Sequence, residues 1–127
     1  MAGSTPFLIE DSENFNRAFK KLAKAYKTTN TFVDCVEKIL EDLIEDPNPT
    51  NSWNEPLPSK INLPEGWTFH KLKFKVSQGA SGQIRLMYLV NATTHIIKLV
   101  SIYSHEQFAK RPANQDLKSV ISGILDC

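Results

Sequence analysis

The groups able to do chemistry are concentrated between Phe69 and Phe108, where the chain reads FHKLKFKVSQGASGQIRLMYLVNATTHIIKLVSIYSHEQF. Lys71, Lys73 and Lys75 alternate with Leu72, Phe74 and Val76, the period-two pattern of a strand whose successive side chains leave opposite faces of a sheet. One face is then apolar and the other a row of ammonium groups. Such a row can track the phosphates of a polyanion or simply blunt a sheet edge in water; on charge alone the second reading is the simpler. The run Ile84 to Val90 is apolar apart from Arg85, which suggests a central strand covered on both faces over most of its length. Its one guanidinium asks for a reason. An ion pair beneath the helices with a carboxylate such as Glu41 is one, and a snorkelling side chain is another. The third run, Ile96 to Tyr103, carries Lys98 as its one charge and empties into Ser104, His105, Glu106, Gln107 and Phe108, so that ionisable and aromatic groups gather just past its end.

Two polar segments rich in turn formers, SQGASGQ and NATTH, separate these runs, and the three read as an antiparallel meander. Pro6 to Glu10 is too short for a helix and is read as a first strand joining that meander. Asp11 or Ser12 offers an oxygen to the free amides of a helix start, and Phe15, Ala18, Phe19, Leu22 and Tyr26 follow at spacings of three and four. The other face of that helix holds Arg17, Lys20, Lys21, Lys24 and Lys27. After a break at Thr28 to Asn30, Thr31 with Asp34 three residues on suggests a capped second helix, whose apolar positions are Val33, Val36, Ile39, Leu40, Leu43 and Ile44. It stops at Asp46-Pro47. So short a link makes the two helices an antiparallel hairpin.

Residues 47–64 hold five of the seven prolines and are expected to form an extended connection without regular structure. Trp53 and Trp67 are expected to pin this loop to the domain rather than to stack on a base. Past the break at Arg111-Pro112, Asn114 or Asp116 can cap a C-terminal helix, placed within residues 112–125, with Leu117, Val120, Ile121, Ile124 and Leu125 as its apolar stripe. The expectation is a single α+β domain over residues 1–127, a small antiparallel sheet packed against an N-terminal helical hairpin, in the order βααβββα.

A chain of 127 residues can bury roughly two thirds of its unfolded surface without a staple. Cys35 and Cys127 have neither the number nor the spacing of a disulfide framework or a zinc site, and are read as reduced thiols. The N-terminus lacks a basic region followed by a long apolar core, and no run approaches the ~18 apolar residues of a membrane span. A cytoplasmic protein away from membranes is expected. The net charge of +1 hides an asymmetry: residues 1–59 carry six Lys and Arg against ten Asp and Glu, and residues 60–127 carry nine against four. The meander half is the basic half.

Taken together, the short first strand, the hairpin opening DSENFNRAFKKLAKAY, the basic strand HKLKFKV, the run IRLMYLV and the segment IIKLVSIYSHEQF with its trailing helix resemble the RelE/ParE superfamily, the toxins of type II toxin–antitoxin systems. The resemblance runs from about Pro6 to Leu125, and the proline-rich loop is its least typical part. It implies a metal-independent endoribonuclease, an mRNA interferase needing no cofactor, often acting at the ribosome, in which the 2′-hydroxyl of the RNA attacks the adjacent phosphorus. It also implies a cognate antitoxin as partner. Within it, Arg85 stands where the family places a phosphate-binding arginine, a role suited to a fork of donors that never loses its charge. His105 matches a histidine just after the last strand, able to give or take a proton near neutral pH. Lys71, Lys73 and Lys75 correspond to the basic, RNA-binding strand, and Tyr103 or Phe108 to an aromatic that stacks on a base or orients the phosphate. A general-base glutamate on or before the basic strand has no counterpart. Of the other histidines, His70 shares the parity of Leu72 and Phe74 and reads as partly buried, and His95 falls in a turn. The same resemblance leaves a gyrase-inhibiting ParE-like toxin and a non-catalytic binding relative as alternatives.

Overall fold

In the computed structural model, which describes residues 5–26, 31–59, 61–77, 79 and 82–126, the chain builds β1 (Leu8–Glu10), α1 (Glu13–Ala25), α2 (Thr31–Glu45), β2 (Ser52–Asn54), β3 (Trp67–Lys75), β4 (Gln83–Asn91), β5 (Ile96–Ser104) and α3 (Asn114–Leu125). The five strands form one sheet in the order β1-β5-β4-β3-β2. The antiparallel meander β3-β4-β5 is its centre. β1 does join it, and runs parallel to β5 with Ile9 opposite Ile97. A parallel neighbour needs a long crossover, and the whole of the intervening fold supplies it. The chain entering β1 is fixed by Phe7 N–H to the Ile44 carbonyl (2.9 Å) and Leu8 N–H to that of His95 (2.8 Å).

The proline-rich connection differs from expectation. Ser52, Trp53 and Asn54 form an edge strand antiparallel to β3, with Trp53 opposite Lys71. These three residues lack proline and so keep their amide donors, while Pro49 and Pro56 fall outside the strand, where no ladder bond is lost. The link at residues 27–30 lies outside the described residues, as does Cys127. Ser12, not Asp11, caps α1, its hydroxyl accepting from Phe15 N–H at 3.1 Å. α3 starts at Asn114 after Ala113, with no side-chain cap. Asn114 Oδ1 instead accepts from Arg111 Nη2 at 2.7 Å.

Both faces of the sheet carry cores. Leu72, Ile84, Leu86, Tyr88 and Val90 project toward the hairpin and meet Phe15, Leu22, Phe32, Val36 and Leu43. Phe69, Met87, Leu89, Val100 and Tyr103 project the other way, onto Leu117 and Ile121 of α3. The β4–β5 register shifts between Met87 and Tyr88, which face Ser101 and Leu99 and leave Val100 as an extra residue. This bulge lets Leu99 and Ile102, three apart, both reach the hairpin core. Asn14 Nδ2 donates to the Val100 carbonyl at 2.9 Å, tying α1 to the irregularity.

His70 belongs to the hairpin face. It is buried, stacks on Tyr88 with centroids 5.4 Å apart, and pairs Nε2 with Thr68 Oγ1 at 2.7 Å. Burial pushes its pKa below the ordinary imidazole value. His95 occupies a left-handed turn position (φ 59°), its Nδ1 2.9 Å from the Thr5 carbonyl and its ring against Phe7. No helix among the described residues is long and apolar enough to cross a membrane.

Candidate functional site

The strand register brings the basic residues together. Lys73 of β3 lies directly opposite Arg85 of β4, which lies directly opposite Tyr103 of β5. Side chains at directly paired positions share a face, so Lys73, Arg85 and Tyr103 stand in one cross-strand row, on the face away from the hairpin. An ion pair of Arg85 with Glu41 is thereby ruled out, since Glu41 is on α2 behind the opposite face. α3 packs over the part of this face that holds Phe69, Met87, Leu89, Val100 and Tyr103. The end carrying Arg85 and Lys73 is left open as a depression of ≈ 730 Å³. Trp53, Lys71, Lys73, Arg85 and the segment Ala109 to Asn114 line it. A neighbouring depression of ≈ 370 Å³ shares Lys73 and Arg85 and adds Asn51, Lys75 and Gln83.

One wall of the larger basin is a buried charge cluster that sequence reasoning missed. Glu55, its side chain 6% exposed, holds Lys71 Nζ at 3.3 Å and Arg111 Nη1 at 3.0 Å through Oε2, and accepts from Trp53 Nε1 at 3.0 Å through Oε1. Arg111 also donates to the Pro56 carbonyl at 2.6 Å. Lys71 reaches the Lys110 carbonyl (3.1 Å) and the Tyr103 hydroxyl (3.4 Å), and that hydroxyl donates to the same carbonyl at 2.7 Å. Two cations flanking one carboxylate offset the desolvation that each charge would suffer alone. The cluster clamps the proline-rich loop and the segment before α3 onto the sheet. Nothing in periodicity could reveal it, because Glu55 and Arg111 lie in irregular segments; the one signal was a lone acid among prolines.

The candidate residues consequently fall into different situations. Lys71 is buried and committed to Glu55. Tyr103 is enclosed as well. Burial, reinforced by the Glu55 charge and opposed by Arg85 and Arg111, pushes its phenol well above the ordinary range. It meets Phe108 edge-on at 5.6 Å, and Phe108 itself is 42% exposed and lines neither depression. Lys73 and Lys75 are exposed. Arg85 is half-buried, and among the described residues no hydrogen bond or ion pair engages its guanidinium. His105 lies at the same end of the sheet. Its backbone N–H donates to the Gln83 carbonyl at 2.8 Å, extending the β4–β5 pairing one step past the strand, and its Nδ1 is buried with no partner among the described residues. The imidazole lines neither depression. Among the described residues no group of three or more His, Cys, Asp or Glu is placed to hold a metal ion.

The architecture, a helical hairpin against one face of a five-stranded sheet, is similar to the fold of RelE toxins. Two solved structures carry the likeness. The E. coli toxin RelE, solved in the free state as a double arginine-to-alanine mutant, superposes with a TM-score of 0.53 at 18% identity, over 94% of this chain and 98% of that one. A chain of the archaeal RelE–RelB complex from Pyrococcus horikoshii OT3 gives 0.51 at 15% identity, over 78% and 94%. No protein-family model and no curated protein matches the sequence.

Proposed function

We propose that this protein is the toxin of a type II toxin–antitoxin system and acts as a metal-independent endoribonuclease on mRNA at the ribosome. The observation that carries the reading is Arg85, a guanidinium with no counter-ion among the described residues, directly opposite Lys73 in an open basic basin. A guanidinium partly withdrawn from water and not committed to a described carboxylate is free to take an anionic ligand. A phosphate suits it, because the guanidinium fork matches two of its oxygens.

In the proposed reaction the RNA 2′-oxygen forms a bond to the adjacent phosphorus as the bond to the 5′-oxygen breaks, leaving a 2′,3′-cyclic phosphate and a 5′-hydroxyl. Arg85 and Lys73 stabilise the charge that builds on the phosphoryl oxygens, and Lys75 holds the strand beside them. His105, at the same end of the sheet but outside both depressions, serves as general acid or base once bound RNA extends from the basin to its ring. The likeness to RelE, one example of which was solved with RelB, supports an antitoxin as partner, and the basic opening suits an acidic segment of it.

The test is inducible expression in a bacterium, scoring growth and mapping transcript 5′ ends, with Arg85→Ala alongside. Growth arrest with new 5′ ends, both lost in Arg85→Ala, is expected. Arrest with intact transcripts would move the target elsewhere, to DNA gyrase first, and no arrest by soluble, folded protein would reduce the chain to a binding module.

A further inference from the structure

We infer that Trp53 is a nucleobase platform, on which a base of single-stranded RNA stacks while an adjacent phosphate rests on Lys73 and Arg85. The inference rests on the reading of the basin as an RNA site. Trp53 lines the same depression as those two cations. A tryptophan that only fastens a loop buries its ring. Trp53 fastens the loop through its N–H, bonded to Glu55, yet remains 39% exposed.

Its orientation is fixed before any ligand arrives, because the carboxylate that holds it is itself gripped by Lys71 and Arg111. A pre-oriented ring loses little freedom on binding. Lys71 Nζ and Lys73 Nζ lie 5.7 and 6.0 Å from the indole centroid, the interleaving of aromatic and basic groups that single-strand binding surfaces use. Trp53 is diagonal to Lys73 on the neighbouring strand, and Arg85 is one strand further on. Two strand spacings, ~10 Å, and a two-residue offset along the strand, ~7 Å, put the two backbone positions about 12 Å apart, a span that a base and a neighbouring phosphate can bridge. Trp67, by contrast, sits at the opposite end of β3, away from Lys73 and Arg85.

The proposal is tested with two synthetic ten-nucleotide RNAs, an oligouridylate and an abasic strand of equal length, titrated against full-length protein. Trp53→Ala should weaken oligouridylate binding by about 5- to 150-fold and leave the abasic strand's affinity and its salt dependence unchanged. Trp53→Phe keeps a ring but loses the bond to Glu55, and should retain most of the discrimination. In a Trp67→Phe background, where Trp53 is the remaining tryptophan, oligouridylate should quench selectively excited tryptophan emission and the abasic strand should not. Equal losses on both strands in Trp53→Ala, or a Trp53→Phe variant indistinguishable from Trp53→Ala, would overturn the platform and leave Trp53 as a prop for Glu55. Arg85→Ala should weaken both strands alike. Arg85-dependent binding indifferent to Trp53 would refute the platform alone, whereas no binding of either strand by wild type would refute the RNA reading and the platform with it.

Discussion

Replacing Glu55 by alanine removes the carboxylate that faces two enclosed cations, with Lys71 and Arg111 side chains 10% and 17% exposed. Breaking a buried pair by deleting one partner costs about 3–5 kcal/mol, since the charge left behind is uncompensated. Here two are left, together with the Trp53 N–H. For a chain of 127 residues the entropy of unfolding is about 0.27 kcal/mol/K, which converts that cost into a fall in Tm of roughly 11–19 °C. Thermal unfolding followed by circular dichroism measures it. The converse experiment separates charge from packing: Glu55→Leu with Lys71→Met and Arg111→Met removes all three charges together and should restore most of the lost stability, as apolar replacement of buried ion groups often does. A Glu55→Ala protein melting within about 3 °C of wild type would refute the reasoning, and would mean that the cluster is solvated and clamps nothing.

Other consequences follow from the buried rings. Because burial lowers the pKa of His70 in the folded state, the unfolded chain takes up a proton first as pH falls below ~6.5, and stability present above that value is lost toward the lower, folded value at up to about 1.4 kcal/mol per pH unit. His70→Phe keeps the stack on Tyr88 and should flatten that part of a urea-denaturation pH profile relative to wild type. Burial raises the Tyr88 phenol to about 12, so the unfolded chain loses its proton first and stability should fall as pH rises from ~10 toward 12. Tyr88→Phe should remove that alkaline component at the cost of the hydroxyl's bond to the Pro47 carbonyl, 2.9 Å; an unchanged alkaline slope would contradict it. At the site, His105→Ala should lower RNA cleavage by ~10²–10⁴-fold with unfolding unchanged, and full activity would remove the histidine from the mechanism. Replacing Lys73 and Lys75 with glutamine should shallow the salt dependence of RNA binding; an unaltered slope would make them solubility residues.

The elements themselves were legible because their signals are local. Alternation of Lys71, Leu72, Lys73 and Phe74 specifies a two-faced strand, and three-and-four spacing from Phe15 to Tyr26 specifies a helix, whatever the rest of the chain does. β2 escaped notice because a three-residue edge strand has too few positions to show a period, and prolines dominate its surroundings. The bulge at Val100 escaped for a similar reason: IIKLVSIYS reads as unbroken strand, and only the packing of Leu99 and Ile102 on the same core demands an extra residue.

For the site the division is sharper. Residue types alone nominated Arg85, His105 and the lysines, since few side chains bind phosphate or shuttle protons near neutral pH. Which of them act together depended on register, and a slip of one residue would have turned Arg85 toward the hairpin. Tertiary structure set Lys73 opposite Arg85, withdrew Lys71 and Tyr103 into the wall, and brought Glu55 and Arg111, 56 residues apart, into contact. Sequence by itself determined the three meander strands, the helices and their apolar faces, because periodicity is written within a few residues. Only the fold decided which charges meet, because a cross-strand pair or a buried ion cluster joins distant positions whose spacing along the chain carries no trace of the contact.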